Sequence, residues 1–256
     1  MANLDNQPRY GASYARGADL IDAGLRAHML RVYNYMASAL VVTGLVAWLA
    51  FQAAGGYGIQ FSGEGIIGVT QFGVLLFNPI AQLVLFFVTL GLVGFISFRI
   101  GHIQVGTALG LFLLYAAVLG LFLSTIFLVY SGTSIAQVFF ITAATFGVTS
   151  LWGYTTKRDL TGMGSFLFMG LIGIIIASLV GIFWHSSALQ FAISIIGVVV
   201  FTGLTAYDTQ KIKDLYTVND DGTIAGRKAV MGALSLYLDF VNLFLMLLRL
   251  FGSNRS

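Results

Sequence analysis

Two aspartates stand in or at the end of long apolar stretches, where a carboxylate is expensive. Asp239 lies within the apolar stretch Ala229–Leu250, in Leu236-Tyr237-Leu238-Asp239-Phe240-Val241-Asn242. Asp208 closes the preceding apolar stretch, in Ala206-Tyr207-Asp208-Thr209-Gln210-Lys211. A charged side chain at the centre of a bilayer costs about 2.5–3.5 kcal/mol on insertion scales, so an acid kept there points to proton or cation handling, or to chemistry. Gly232, Ser235, Asp239 and Asn242 follow at spacings of three and four and share one helical face, with apolar residues on the others. A thinner stripe on the preceding segment runs Ser194, Gly197, Phe201, Thr205, Asp208. Both stripes are expected to face a bundle interior or a wet cavity.

If the two carboxyls come within reach, electrostatics governs what they do. Two like charges about 4 Å apart at an effective dielectric of about 20 repel by about 4 kcal/mol. Such a pair is expected to share a proton and to titrate as a unit. The shared proton would latch two helices together. Its loss would drive them apart or recruit a cation, and calcium suits oxygen ligands such as Asp208, Asp239 and Asn242. Depth leaves the contact open. Asp239 is ten residues from Ala229, about 15 Å along a helix, whereas Asp208 lies close to Lys211 and Lys213. Asp208 alone also reads as a helix-end acid paired with Lys211.

The elements that hold these residues are membrane helices. The chain has 256 residues, 58% hydrophobic and only 9% charged, with mean hydropathy +0.90. A soluble domain carries about 25% charged residues, so this composition describes a polytopic membrane protein. Apolar stretches long enough to span fall at Tyr33–Phe51, Pro79–Phe98, Val105–Tyr130, Ser134–Tyr154, Ser165–Trp184, Ala188–Tyr207 and Ala229–Leu250. The third is long enough to require tilt or extension beyond the hydrocarbon. The seventh, interrupted by Ser235, Asp239 and Asn242, also fits a half-inserted hairpin. The expected organisation is a cytoplasmic tail at 1–30, a seven-helix transmembrane domain at 31–252 and a short tail at 253–256.

Charge supports the same layout. Eleven of the 13 Lys and Arg fall in the amino-terminal tail or in the loops after spans 2, 4 and 6; only Arg249 and Arg255 fall on the other side. By the positive-inside rule the amino terminus is cytoplasmic and the carboxyl terminus outside. The segment Ala53–Asn78 is a Gly-rich outward loop, read as packed over the helix ends, with Glu64 as a weak candidate for a cation entrance. Gly106-x-x-x-Gly110 and Gly173-x-x-x-Ala177 are assigned to close helix packing.

Other chemistries are excluded or weakly supported. There is no cysteine, which removes thiol catalysis and disulfides. His28, His102 and His185 are scattered, without metal-ligand spacing. Nothing suggests nucleic-acid binding. Intramembrane aspartyl proteases also place one aspartate on each of two consecutive helices, but the residues before Asp239 are Tyr237 and Leu238 rather than Gly-x-Gly. The chain is therefore read as a non-enzyme with no resident cofactor.

Thr205-Ala206-Tyr207-Asp208-Thr209-Gln210-Lys211-Ile212 and Ser235-Leu236-Tyr237-Leu238-Asp239-Phe240-Val241-Asn242-Leu243-Phe244 together resemble the paired signature of the Bax inhibitor-1 family, in its bacterial YccA-like form. The resemblance covers Leu25 to Gly252. It implies an all-α membrane fold with six helices surrounding a central C-terminal seventh, in the bacterial cytoplasmic membrane. It implies a pH-sensitive calcium leak, with Asp208 and Asp239 as the sensor pair. By the same resemblance Arg99, at the inner end of span 2, can pair with the span 6 acid. Thr205, Ser235 and Asn242 are the supporting polar residues. Expected partners are the lipid bilayer and calcium or other cations. Regulation of a membrane-bound AAA protease, with the polar tail from Met1 to Arg26 as the handle, is the rival reading.

Overall fold

The computed structural model describes residues 8–62, 65–184 and 186–255. Among the described residues, seven helices are long and apolar enough to cross a membrane. They are α1 (Pro8–Ala53), α3 (Pro79–Arg99), α4 (Val105–Leu123), α6 (Gly132–Thr155), α7 (Thr161–Phe183), α8 (Ser187–Asp214) and α9 (Gly222–Phe251), with short helices α2 (Gln71–Leu76) and α5 (Ile126–Val129) between them. The seventh span is a full helix of 30 residues, so the hairpin alternative falls. Its start is fixed by Asp221, whose carboxyl accepts from Ile224 N–H at 2.7 Å. Asn78 before Pro79 caps α3, Ser131 caps α6 and Ser186 caps α8.

Three sequence expectations change in detail. The long third span does not run on as one helix, because a turn at Ser124 and Thr125 separates α4 from α5. The helix of the first span begins at Pro8, within the expected tail. Gly106, Gly110 and Gly173 are not packing sites: an added Cβ there would meet no atom within 4 Å. They lie on exposed faces, while α4 turns Ala108, Phe112, Tyr115, Ala116 and Leu119 inward. Close approach occurs instead at Gly153, which lies against the Ala206 backbone of α8, and at Gly120, against the Thr43 carbonyl of α1.

Helix α9 is the most enclosed span: 67% of its apolar window is buried, against 44% for the next. It packs most heavily on α8, then α1, α6 and α4, whereas α3 leans chiefly on α4 and α7 on α8. Tyr237 of α9 is fully buried, edge-on to Phe112 at 5.4 Å and to Tyr115 at 5.8 Å. Its hydroxyl meets Thr43 Oγ1 at 2.6 Å, which ties α9 to α1. A second polar tie runs from Tyr33 to Ser150 at 2.7 Å and from Ser150 to Thr209 at 2.9 Å, joining α1, α6 and α8. The outward faces carry large apolar residues such as Phe98, Phe140, Phe166 and Phe183, as a surface against lipid requires.

The Gly-rich segment is folded over the helix ends. It contains a short 3-10 turn at Gly56–Gly58, an antiparallel hairpin of β1 (Gln60–Ser62) and β2 (Gly65–Ile67), and α2. Ile59 packs with Phe51 and Ala54, and Val69, Phe77 and Phe127 close over them. Gly55 is a position only glycine fits: its φ is 127° and a Cβ would collide with the Gly68 carbonyl. Arg255 reaches back from the far end of the chain and donates to the Tyr57 carbonyl at 2.7 Å. Glu64, the candidate for a cation entrance, and His185 lie outside the described residues.

Candidate functional site

The polar face of α9 is turned toward α7 and α8. Asp239 is only 6% exposed, and its Oδ2 has no hydrogen-bond partner among the described residues. A buried carboxyl oxygen without a protein partner is costly to ionise. One turn on, Asn242 spends its amide N–H on the Leu238 carbonyl at 2.8 Å. Ser235 lies half-buried one turn before. Gly232 stands against Ile212 of α8, which brings the two helices close just below the acids.

Asp208 and Asp239 line the same cavity, of about 600 Å³, together with Ser235, Asn242, Tyr207 and Lys211. Apolar Phe168 and Leu171 of α7, and Phe201 and Leu204 of α8, complete its walls. A second cavity of about 480 Å³ lies between the end of α3, the last turns of α8 and the first turns of α9. Asp208, Lys211 and Ser235 belong to both linings. Together these three residues form the boundary at which the two spaces meet.

The structure places the other expected residues as follows. Thr205 is fully buried and donates to the Phe201 carbonyl at 2.8 Å. Thr209, four residues on, joins the Ser150 tie. Arg99 is exposed in the last turn of α3. Its side chain makes no hydrogen bond or ion pair among the described residues, although its neighbours Ile100 and Gly101 line the smaller cavity. The one ion pair among the described residues joins Lys228 to Asp220 at 2.6 Å, so Asp208 is not paired with Lys211 here. Instead the Lys211 ammonium lies 5.8 Å from the centre of the Tyr207 ring.

Sequence reasoning treated Lys211 only as a topology charge and a possible partner of Asp208, and missed that it borders both cavities. Its position one turn beyond Asp208 was the available signal. The ties Thr43–Tyr237 and Tyr33–Ser150–Thr209 were also missed. Only the Thr205 and Thr209 pair, four residues apart, hinted at them.

The chemistry on offer is that of hard oxygen ligands: two carboxyls, the Asn242 carbonyl oxygen and the Ser235 hydroxyl. Among the described residues no group of three His, Cys, Asp or Glu could hold a metal ion.

The sequence profile of the family described as inhibitor of apoptosis-promoting Bax1 matches residues 25–256. The chain belongs to the Bax inhibitor-1 family. It is 47% identical to the inner membrane protein YbhL of Escherichia coli strain K12, over 91% of this chain and 94% of that protein. It is likewise 47% identical to a Rickettsia prowazekii protein, over 92% of this chain and 93% of the other. A Borreliella burgdorferi protein is 51% identical over 72% of the chain and 79% of its own length. This Bax inhibitor-1 family member is thus a multi-pass protein of a bacterial inner membrane, embedded in lipid.

Proposed function

We propose that the protein is a cation leak of the inner membrane, calcium being the favoured ion, gated by the protonation of Asp208 and Asp239. The observation that carries this reading is the orphaned Asp239 Oδ2, buried and facing a cavity that Asp208 also lines. A carboxyl in that position takes a proton or a cation. With a proton bound, the pair carries at most one charge and α8 stays packed on α9. Without it, two anions in a poorly hydrated space repel and draw in a cation.

The larger cavity, lined by Asp208, Asp239, Ser235 and Asn242, is where the cation is held. The basic ends of α3, α8 and α9 then lie in the cytoplasm, with the amino terminus inside and the carboxyl terminus outside. In this reading α3 and α7 complete a ring of six helices around α9. Because they rest on α4 and α8 rather than directly on α9, they are the helices free to move when the pair loses its proton. Arg99 reaches Asp208 only after such a movement.

Calcium flux into liposomes, followed across pH, tests the reading. Wild type is expected to leak little in acid and more as pH rises. Asp239→Asn and Asp208→Asn are expected to flatten that rise. Variants that leak with an unaltered pH profile remove the aspartate gate.

A further inference from the structure

We propose that the smaller cavity is a binding site for the phosphate headgroup of an acidic phospholipid, drawn from the leaflet on the basic side of the membrane. Three cations line it: Lys211, Arg227 and Lys228. Asp208 is the single acid in its lining, and Asp220 neutralises Lys228 from outside it. Two cations therefore remain against one carboxylate.

The cations are held in ways that suit an oxyanion. Arg227 donates its Nε to the Ile103 carbonyl at 2.8 Å and makes no other side-chain hydrogen bond among the described residues. The guanidinium is thus positioned by the backbone with its terminal nitrogens uncommitted, the arrangement that binds a phosphate in two-pronged fashion. Lys211 has no hydrogen bond or ion pair among the described residues, only the Tyr207 ring nearby. Lys228 is fixed to Asp220 at 2.6 Å and to the Leu215 carbonyl at 2.9 Å.

The rest of the lining argues for a lipid rather than a free anion. Leu215 and Ile224 line the same space yet remain 48% and 43% exposed. Exposed apolar groups beside uncommitted cations, at the level where membrane helices end, complement an acyl chain and its headgroup together. Basic pockets between helices on the cytoplasmic side bind acidic lipid headgroups by this chemistry. The volume of about 480 Å³ is that of a small-ligand pocket. The site does not depend on the leak reading, although Lys211 borders both cavities, so a bound headgroup would set which anion that ammonium faces.

The test uses the full chain reconstituted with equal phosphatidylglycerol and phosphatidylcholine, followed by native mass spectrometry of the lipid retained. Wild type is expected to retain phosphatidylglycerol selectively. Lys211→Ala and Arg227→Gln are each expected to weaken that retention about fivefold, and Lys211→Arg to restore it. Lys157→Ala with Arg158→Ala, which removes two exposed charges from another loop on the same side, is expected to change nothing. Excess inorganic phosphate is expected not to displace the lipid. Equal retention of the two lipids overturns the proposal. So does wild-type retention in Lys211→Ala, an equal loss in the Lys157/Arg158 variant, or displacement by inorganic phosphate.

Discussion

Asp208 on α8 and Asp239 on α9 line one cavity, the first half-buried and the second nearly sealed, and no cation is paired with either carboxyl among the described residues. A soluble protein avoids such an arrangement, and a bilayer makes it costlier still. What keeps it in place is the packing of α8 on α9 around Gly232 and Ile212. Gly197 of α8 admits Met246 farther along the same seam.

The leak's pH dependence should not come from the loop acids. Asp159, fully exposed between α6 and α7, accepts from Thr161 N–H at 2.9 Å, and the Thr161 side chain and backbone together hold its carboxyl below the ordinary value. It is therefore ionised throughout the neutral range and loses its charge only in stronger acid than a free aspartate would need. Asp159→Asn is expected to leave the flux profile between about pH 5 and pH 8 superimposable on wild type, within the window where an unperturbed carboxylate near 3.9 has already ionised. A displaced profile would move the sensor out of the membrane core.

The tie between Thr43 and Tyr237 predicts an asymmetry. Thr43 Oγ1 also lies 2.9 Å from the Ala116 carbonyl and 3.0 Å from that of Ala39, so the tyrosine hydroxyl is the donor to Thr43. Tyr237→Phe removes that donor and leaves Thr43 satisfied, at a cost of about 0.5–1.5 kcal/mol. Thr43→Val strands the fully buried tyrosine hydroxyl, at a cost of about 1–3 kcal/mol. Thermal unfolding in detergent should place Thr43→Val below Tyr237→Phe. The reverse order would show that the hydroxyl finds another acceptor.

Two glycines should respond oppositely to a methyl group. Gly153→Ala drives a Cβ into the Ala206 backbone and is expected to cost about 1–3 kcal/mol through overpacking. Gly110→Ala meets open space and should leave the melting temperature at or slightly above wild type. Equal losses at both positions would contradict the crossing of α6 and α8 at Gly153.

Much of this was legible in the sequence because a membrane imposes simple demands. Long apolar runs gave seven spans, and the stripe of Ser235, Asp239 and Asn242 gave the face of α9 that lines the larger cavity. The helices extend past the apolar runs, to Pro8 and Gly222, since hydropathy marks only the apolar part of a helix. The glycine motifs misled for a related reason: spacing does not say which face meets a neighbour, and Gly106 and Gly110 face outward. Lys211 was undervalued because a lysine at a helix end is ordinarily a surface charge. Only the third dimension, which sets α3 and α7 away from α9, reveals that it borders two cavities.

The measurement closest to the central claim is infrared difference spectroscopy of protonated carboxyl groups across pH, on wild type, Asp208→Asn and Asp239→Asn in lipid. The account predicts that removing either aspartate shifts the titration midpoint of the other, because a single proton serves both. Carboxyl bands that titrate independently, each unmoved by loss of its neighbour, would contradict it.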